Sequence, residues 1–92
     1  MKLLISSQFA ADYKQTQDPS LQEKLKSVFT AIKSANTIAE LPKFRKVTGT
    51  TKAYKMGVGF YFVLGSITKE NEITLIRFLH RDRVIAVTNQ NK

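Results

Sequence analysis

Ninety-two residues suffice for one domain and are too few for two independent cores, so residues 1–92 are read as a single domain. With 42% hydrophobic residues the chain can bury a modest core; without cysteine it has no disulfide framework, thiolate metal site or thiol nucleophile. Fifteen Lys and Arg against seven Asp and Glu give a formal charge of +8, more than solubility alone asks for, and such self-repulsion favours an anionic partner.

Nucleic acid, an anionic membrane surface and an acidic protein all meet that description. The apolar run Leu3-Leu4-Ile5 is far shorter than the roughly 7–15 residues of an export signal. Nothing approaches the ~20 apolar residues of a membrane span. A cytoplasmic protein without a membrane partner is expected.

In chain order, Leu3–Ile5 reads as a short strand. Ser7 is a candidate cap for a helical turn over Gln8–Lys14, with Phe9 and Tyr13 on one face. Two start signals precede the next helix. Asp18 stands before Pro19, and Ser20 with Glu23 has the spacing of a capping box. Leu21, Leu25, Val28, Phe29 and Ile32 then recur on one helical face, with Lys24, Lys26 and Lys33 off it. Thr37 and Glu40 repeat the capping-box spacing ahead of Leu41-Pro42 and predict one further helical turn. From Thr51 the pattern changes to aromatic and branched residues, predicting strands over Ala53–Val58, Phe60–Ile67 and Glu72–Leu79. Gly59 separates the first two, and Lys69-Glu70-Asn71 the second and third. The polar tail Thr88–Lys92 is expected to fray. The fold class is therefore α+β, an N-terminal strand and helices packed on one face of a small antiparallel sheet that ends in a three-strand meander. Phe60–Leu64 is apolar on both faces and should be the central strand, and the sheet face away from the helices is left for function.

Most catalytic constellations are missing from the sequence. Gly57 and Gly59 lie inside a strand pattern and open no helix, so they make no phosphate loop. The single histidine and the scattered carboxylates predict neither a metal site nor a paired-carboxylate hydrolase, and no cofactor is expected. What remains is a set of bases in the sheet half: Lys43, Arg45, Lys46, Lys52, Lys55, Arg77, His80, Arg81 and Arg83. Such a set binds phosphates electrostatically. It can also cleave RNA without a metal, when a 2′-hydroxyl attacks the adjacent phosphorus, a base takes its proton, an acid protonates the leaving 5′-oxygen and cations stabilise the phosphorane. His80 could move those protons, and equally be an ordinary surface residue. Tyr54 and Tyr61 could stack on a base or simply fill the core.

Four local motifs in order carry a family resemblance. Leu3-Leu4-Ile5-Ser6-Ser7-Gln8-Phe9 with Asp12-Tyr13, then Lys46-Val47-Thr48-Gly49, then Ala53–Phe62 (AYKMGVGFYF), then Ile76-Arg77-Phe78-Leu79-His80-Arg81-Asp82 resemble the RelE/ParE toxin superfamily. The resemblance implies a toxin of a type II toxin–antitoxin system, held inactive by an acidic antitoxin that wraps its basic face. In the RelE-like line it further implies a metal-independent endoribonuclease that cuts messenger RNA on the ribosome and so inhibits translation. Lys46, Lys55, His80 and Arg81 match the catalytic positions; Lys43, Arg45, Lys52, Arg77, Arg83, Tyr54 and Tyr61 would bind nucleic acid. Together the four catalytic groups are expected to converge on one anion.

The sequence also departs from the pattern. Gly57 and Phe62 replace two arginines of the strand pair, Phe60 replaces an aspartate, and Ile85-Ala86 stand where a terminal tyrosine is usual. Losing oriented cations near a phosphorane typically costs 100-fold or more in rate, and Phe60 and Phe62 could occupy a groove meant for nucleotide. Weakened cleavage is one reading. A ParE-like inhibitor of DNA gyrase, or an inert homologue that only binds antitoxin, is the alternative.

Overall fold

The computed structural model describes residues 1–50 and 52–83. Its elements run β1 (Lys2–Ile5), α1 (Ser7–Gln15), α2 (Pro19–Ser34), a 3-10 turn (Ile38–Glu40), β2 (Arg45–Lys46), β3 (Ala53–Val58), β4 (Tyr61–Lys69) and β5 (Glu72–His80). The sheet has five strands in the order β1-β5-β4-β3-β2. As the apolar pattern predicts, β4 is central. The meander is flanked by β1, parallel to β5, and by the two-residue β2, antiparallel to β3.

The caps explain where the helices begin. Ser6, not Ser7, starts α1: its Oγ accepts the Phe9 N–H at 3.0 Å and donates to the Ile76 carbonyl at 2.8 Å. One hydroxyl thus ends β1, starts α1 and ties both to β5. Of the two signals before α2, Asp18 is the one used, accepting from the amides of Ser20 and Leu21 ahead of Pro19. Glu40 accepts the Asn36 and Thr37 amides and closes the 3-10 turn.

Register decides which side chains the helices cover, because residues paired across a sheet share a face. Met56, Val63 and Phe78 form one row. Phe78 meets Phe9 of α1 at 5.9 Å between ring centroids, so this is the helix face. Phe9, Leu25, Ile32, Val63, Ile73, Leu75 and Phe78 are fully buried there. Where β4 passes β5 a bulge follows Leu64, and Gly65 sits against Ile73 and Leu75. Among the described residues no helix is long and apolar enough to cross a membrane. Ile85, Ala86 and the Thr88–Lys92 tail lie outside the described residues.

Candidate functional site

The row Arg45–Lys55–Leu64–Arg77 and the row Gly57–Phe62–Leu79 lie on the sheet face opposite the helices. Arg45 and Lys55 stand directly across from one another on neighbouring strands. Like charges so placed repel, and an anion bridging them relieves the repulsion. The Lys55 ammonium lies over the Phe62 ring, 5.4 Å from its centroid. Phe62 in turn packs beside Gly57, where even a β-carbon would stand 3.5 Å from the ring, in ordinary contact.

A second cation–aromatic pair sits at the tip of the β3–β4 hairpin. Gly59, at φ 61°, leads a two-residue turn and leaves Phe60 at the second position. The Phe60 carbonyl accepts the Arg81 N–H at 2.8 Å, and the Arg81 guanidinium lies over the Phe60 ring at 5.2 Å. His80 stacks near the same ring, with centroids 6.5 Å apart, and meets Tyr61 edge-on at 5.3 Å. Its Nδ1 accepts the Asp82 N–H at 3.3 Å, so a neutral ring carries its proton on Nε2. Nε2 has no hydrogen-bond partner among the described residues.

The expected convergence of four catalytic groups is only partly realised. Lys46 pairs with Tyr54 and so belongs to the helix side, opposite to Lys55. His80 pairs with Tyr61 and Val58 on that same side, three strands away from Lys46. Strand parity is the reason: Lys46 and Lys55 differ in face although both sit on the β2–β3 pair. Lys55 lies over Phe62 on the open face, Arg81 lies over Phe60 at the hairpin tip, and His80 reaches that tip through its stack on Phe60.

The other candidates separate likewise. Tyr54 and Tyr61 pack against the core, Tyr61 stacked on Phe78 at 4.9 Å. Arg77 leaves the sheet face for the strand edge, where Asp12 binds it. Arg83 borders a small cleft with Asp12, Tyr61 and His80. Lys52 is exposed ahead of β3. Lys43 rims a groove of about 480 Å³ between α2 and the edge of β3, together with Lys24, Val28, Leu41, Pro42 and Met56–Gly59. β2 pairs only with Tyr54 and Lys55, so the edge of β3 beyond them carries no strand among the described residues.

Asp12 is the functional neighbour that sequence reasoning missed. Its carboxyl is raised by burial, but hydrogen bonds from Arg77 and the Phe78 N–H, with the charges of Arg77 and Arg83, outweigh that and hold it below the ordinary range. The available signal was its position one turn after Phe9, the residue of α1 that enters the core.

No family model and no curated protein matches the sequence. Among solved structures, the chain superposes on a chain of the RelB-RelE antitoxin-toxin complex from Methanococcus jannaschii with a TM-score of 0.75. The match covers 89% of this chain and 94% of that one at 22% identity. The chain has a RelE-like fold. In this chain the face bearing Arg45, Lys55 and Phe62 is the one turned away from α1 and α2.

Proposed function

We propose that this chain is the toxin of a type II toxin–antitoxin pair, acting in the cytoplasm on messenger RNA at the ribosome. The observation that carries the reading is the RelE-like fold combined with a sheet face, opposite α1 and α2, where Arg45 opposes Lys55. In this reading the open face holds the RNA backbone. At the hairpin tip, where the strand passes from that face over Phe60, Arg81 stabilises the phosphorane, and His80, through Nε2, exchanges protons with the attacking or leaving oxygen. The antitoxin is acidic. The groove between α2 and the β3 edge, unpaired among the described residues, suits one of its extended segments: the floor is apolar and the rim holds Lys24 and Lys43.

Purified protein added to an in-vitro translation reaction should arrest it and leave messenger RNA cut only when ribosomes are present. His80→Gln should reduce cleavage about 100-fold or more. Normal translation at high protein concentration removes the reading. The alternative, gyrase inhibition or inert antitoxin binding, is favoured by one observation, the apolar Gly57–Phe62 pair on the open face. Blocked supercoiling with intact translation would select gyrase; neither effect, with antitoxin binding retained, would select the inert homologue.

A further inference from the structure

We propose that Phe60 and Phe62 form a stacking platform for unpaired RNA bases, with Arg81 and Lys55 as the phosphate contacts beside them; this rests on RNA being the target. The chain has six phenylalanines. Phe9, Phe44 and Phe78 are buried and Phe29 and Phe62 half-buried, whereas Phe60 is 64% exposed. Leaving an aromatic ring in water forgoes a large burial gain, yet this ring is held in a fixed place. The glycine-led turn and the Arg81 N–H bond to the Phe60 carbonyl fix its backbone, so little order is lost when something lies on it.

The surroundings specify the occupant. Each of the two rings has a cation over it, Arg81 at Phe60 and Lys55 at Phe62. Cation–π contacts at exposed sites are weak, so a phosphate can draw either cation away while a base takes its place on the ring. Aromatic planes beside cations bind single strands irrespective of sequence, because every base has a π face. Phe60 closes the hairpin turn and Phe62 follows in β4 with Tyr61 between them, so a single strand running off the sheet end can meet both rings. A double helix keeps its bases in the stack and cannot use the platform. The two phenylalanines, which stand where the resembling family has an aspartate and an arginine, would thus exchange charge for stacking.

The chain has no tryptophan, so Phe60→Trp introduces a single indole at the platform. A short oligouridylate should quench its fluorescence saturably, and an RNA duplex should not. In the otherwise native chain, Phe60→Ala should weaken oligouridylate binding roughly 5- to 150-fold. Phe62→Leu, which keeps the packing beside Gly57, should weaken it by less. An indole unmoved by oligouridylate at saturation overturns the proposal, as does unchanged affinity in Phe60→Ala. Quenching by polyglutamate but not by oligouridylate also overturns it and makes the tip a protein-docking surface. Translation assays on the same preparations keep the two readings apart. Quenching without translational arrest sinks the toxin reading alone, and arrest that survives Phe60→Ala with unchanged RNA affinity sinks the platform alone.

Discussion

Arg77 and Asp12 meet in a two-point salt bridge, Nε to Oδ2 at 2.8 Å and Nη2 to Oδ1 at 3.1 Å, and Oδ2 also accepts the Phe78 N–H at 2.9 Å. β1 stops pairing at Leu75, so β5 would expose a bare edge from there on. Asp12 closes that edge from α1 with a side chain. The same contact takes Arg77 out of the set of bases available to RNA.

Removing the carboxylate therefore leaves three N–H groups without that acceptor, Nε and Nη2 of Arg77 and the Phe78 amide, whereas removing the guanidinium leaves none. Asp12→Ala should lower the unfolding free energy by about 1–3 kcal/mol, and Arg77→Ala by distinctly less. Urea unfolding curves at neutral pH compare the two directly. Equal losses would mean that the Phe78 amide finds water as good a partner.

The same carboxylate gives the protein an acid limb. Asp12 is depressed in the folded state from its ordinary 3.8. A depressed carboxyl contributes stability that is full above the unfolded value and lost as pH falls through the folded one. The stability difference between wild type and Asp12→Asn should be constant near neutrality and shrink below about pH 4. A difference that persists unchanged to about pH 2 would contradict the assignment.

Gly65 offers a packing test. A methyl group there would lie 3.1 Å from Ile73 Cδ1 and 3.3 Å from both Ile73 Cγ1 and Leu75 Cδ2, and Ile73 and Leu75 are fully buried. Neither neighbour has solvent to move into, so Gly65→Ala should destabilise by about 1–3 kcal/mol through overpacking. Thermal melts with and without the substitution measure it. The adjacent bulge after Leu64 is the nearest place where the sheet could yield, and an unchanged melting temperature would show that it does.

Periodicity made most of the fold legible. The Leu21–Ile32 stripe marks α2, and the doubly apolar Phe60–Leu64 run marks the centre of the sheet. β2 escaped because two basic residues have no period of their own; only pairing with Tyr54 and Lys55 makes them a strand. Ser6 and Ser7 are equivalent as letters, and the Ile76 carbonyl, distant in sequence, selects Ser6. The site suffered from the same non-locality. Residue type and resemblance nominated Lys46, Lys55, His80 and Arg81, but faces alternate along a strand. Whether two lysines on different strands share a face depends on register, which no local motif carries.

That parity gives the sharpest test of where RNA binds. Lys46 and Lys55 belong to the same β2–β3 pair but sit on opposite faces, and Arg45 shares the face of Lys55. Charge, size and neighbourhood in sequence are nearly matched, so a comparison of the two isolates direction. If the face opposite α1 and α2 holds the backbone, Lys55→Gln and Arg45→Gln should each weaken binding to a short single-stranded RNA and lower the dependence of log K on log salt by about one. Lys46→Gln should change the slope far less, since its contribution is reduced to long-range attraction that salt screens. Filter-binding titrations over a range of salt concentrations read both quantities. Slopes that fall equally for Lys46 and Lys55 would mean that RNA wraps the β2 edge rather than lying on one face, and the sheet would then be a support instead of the binding surface.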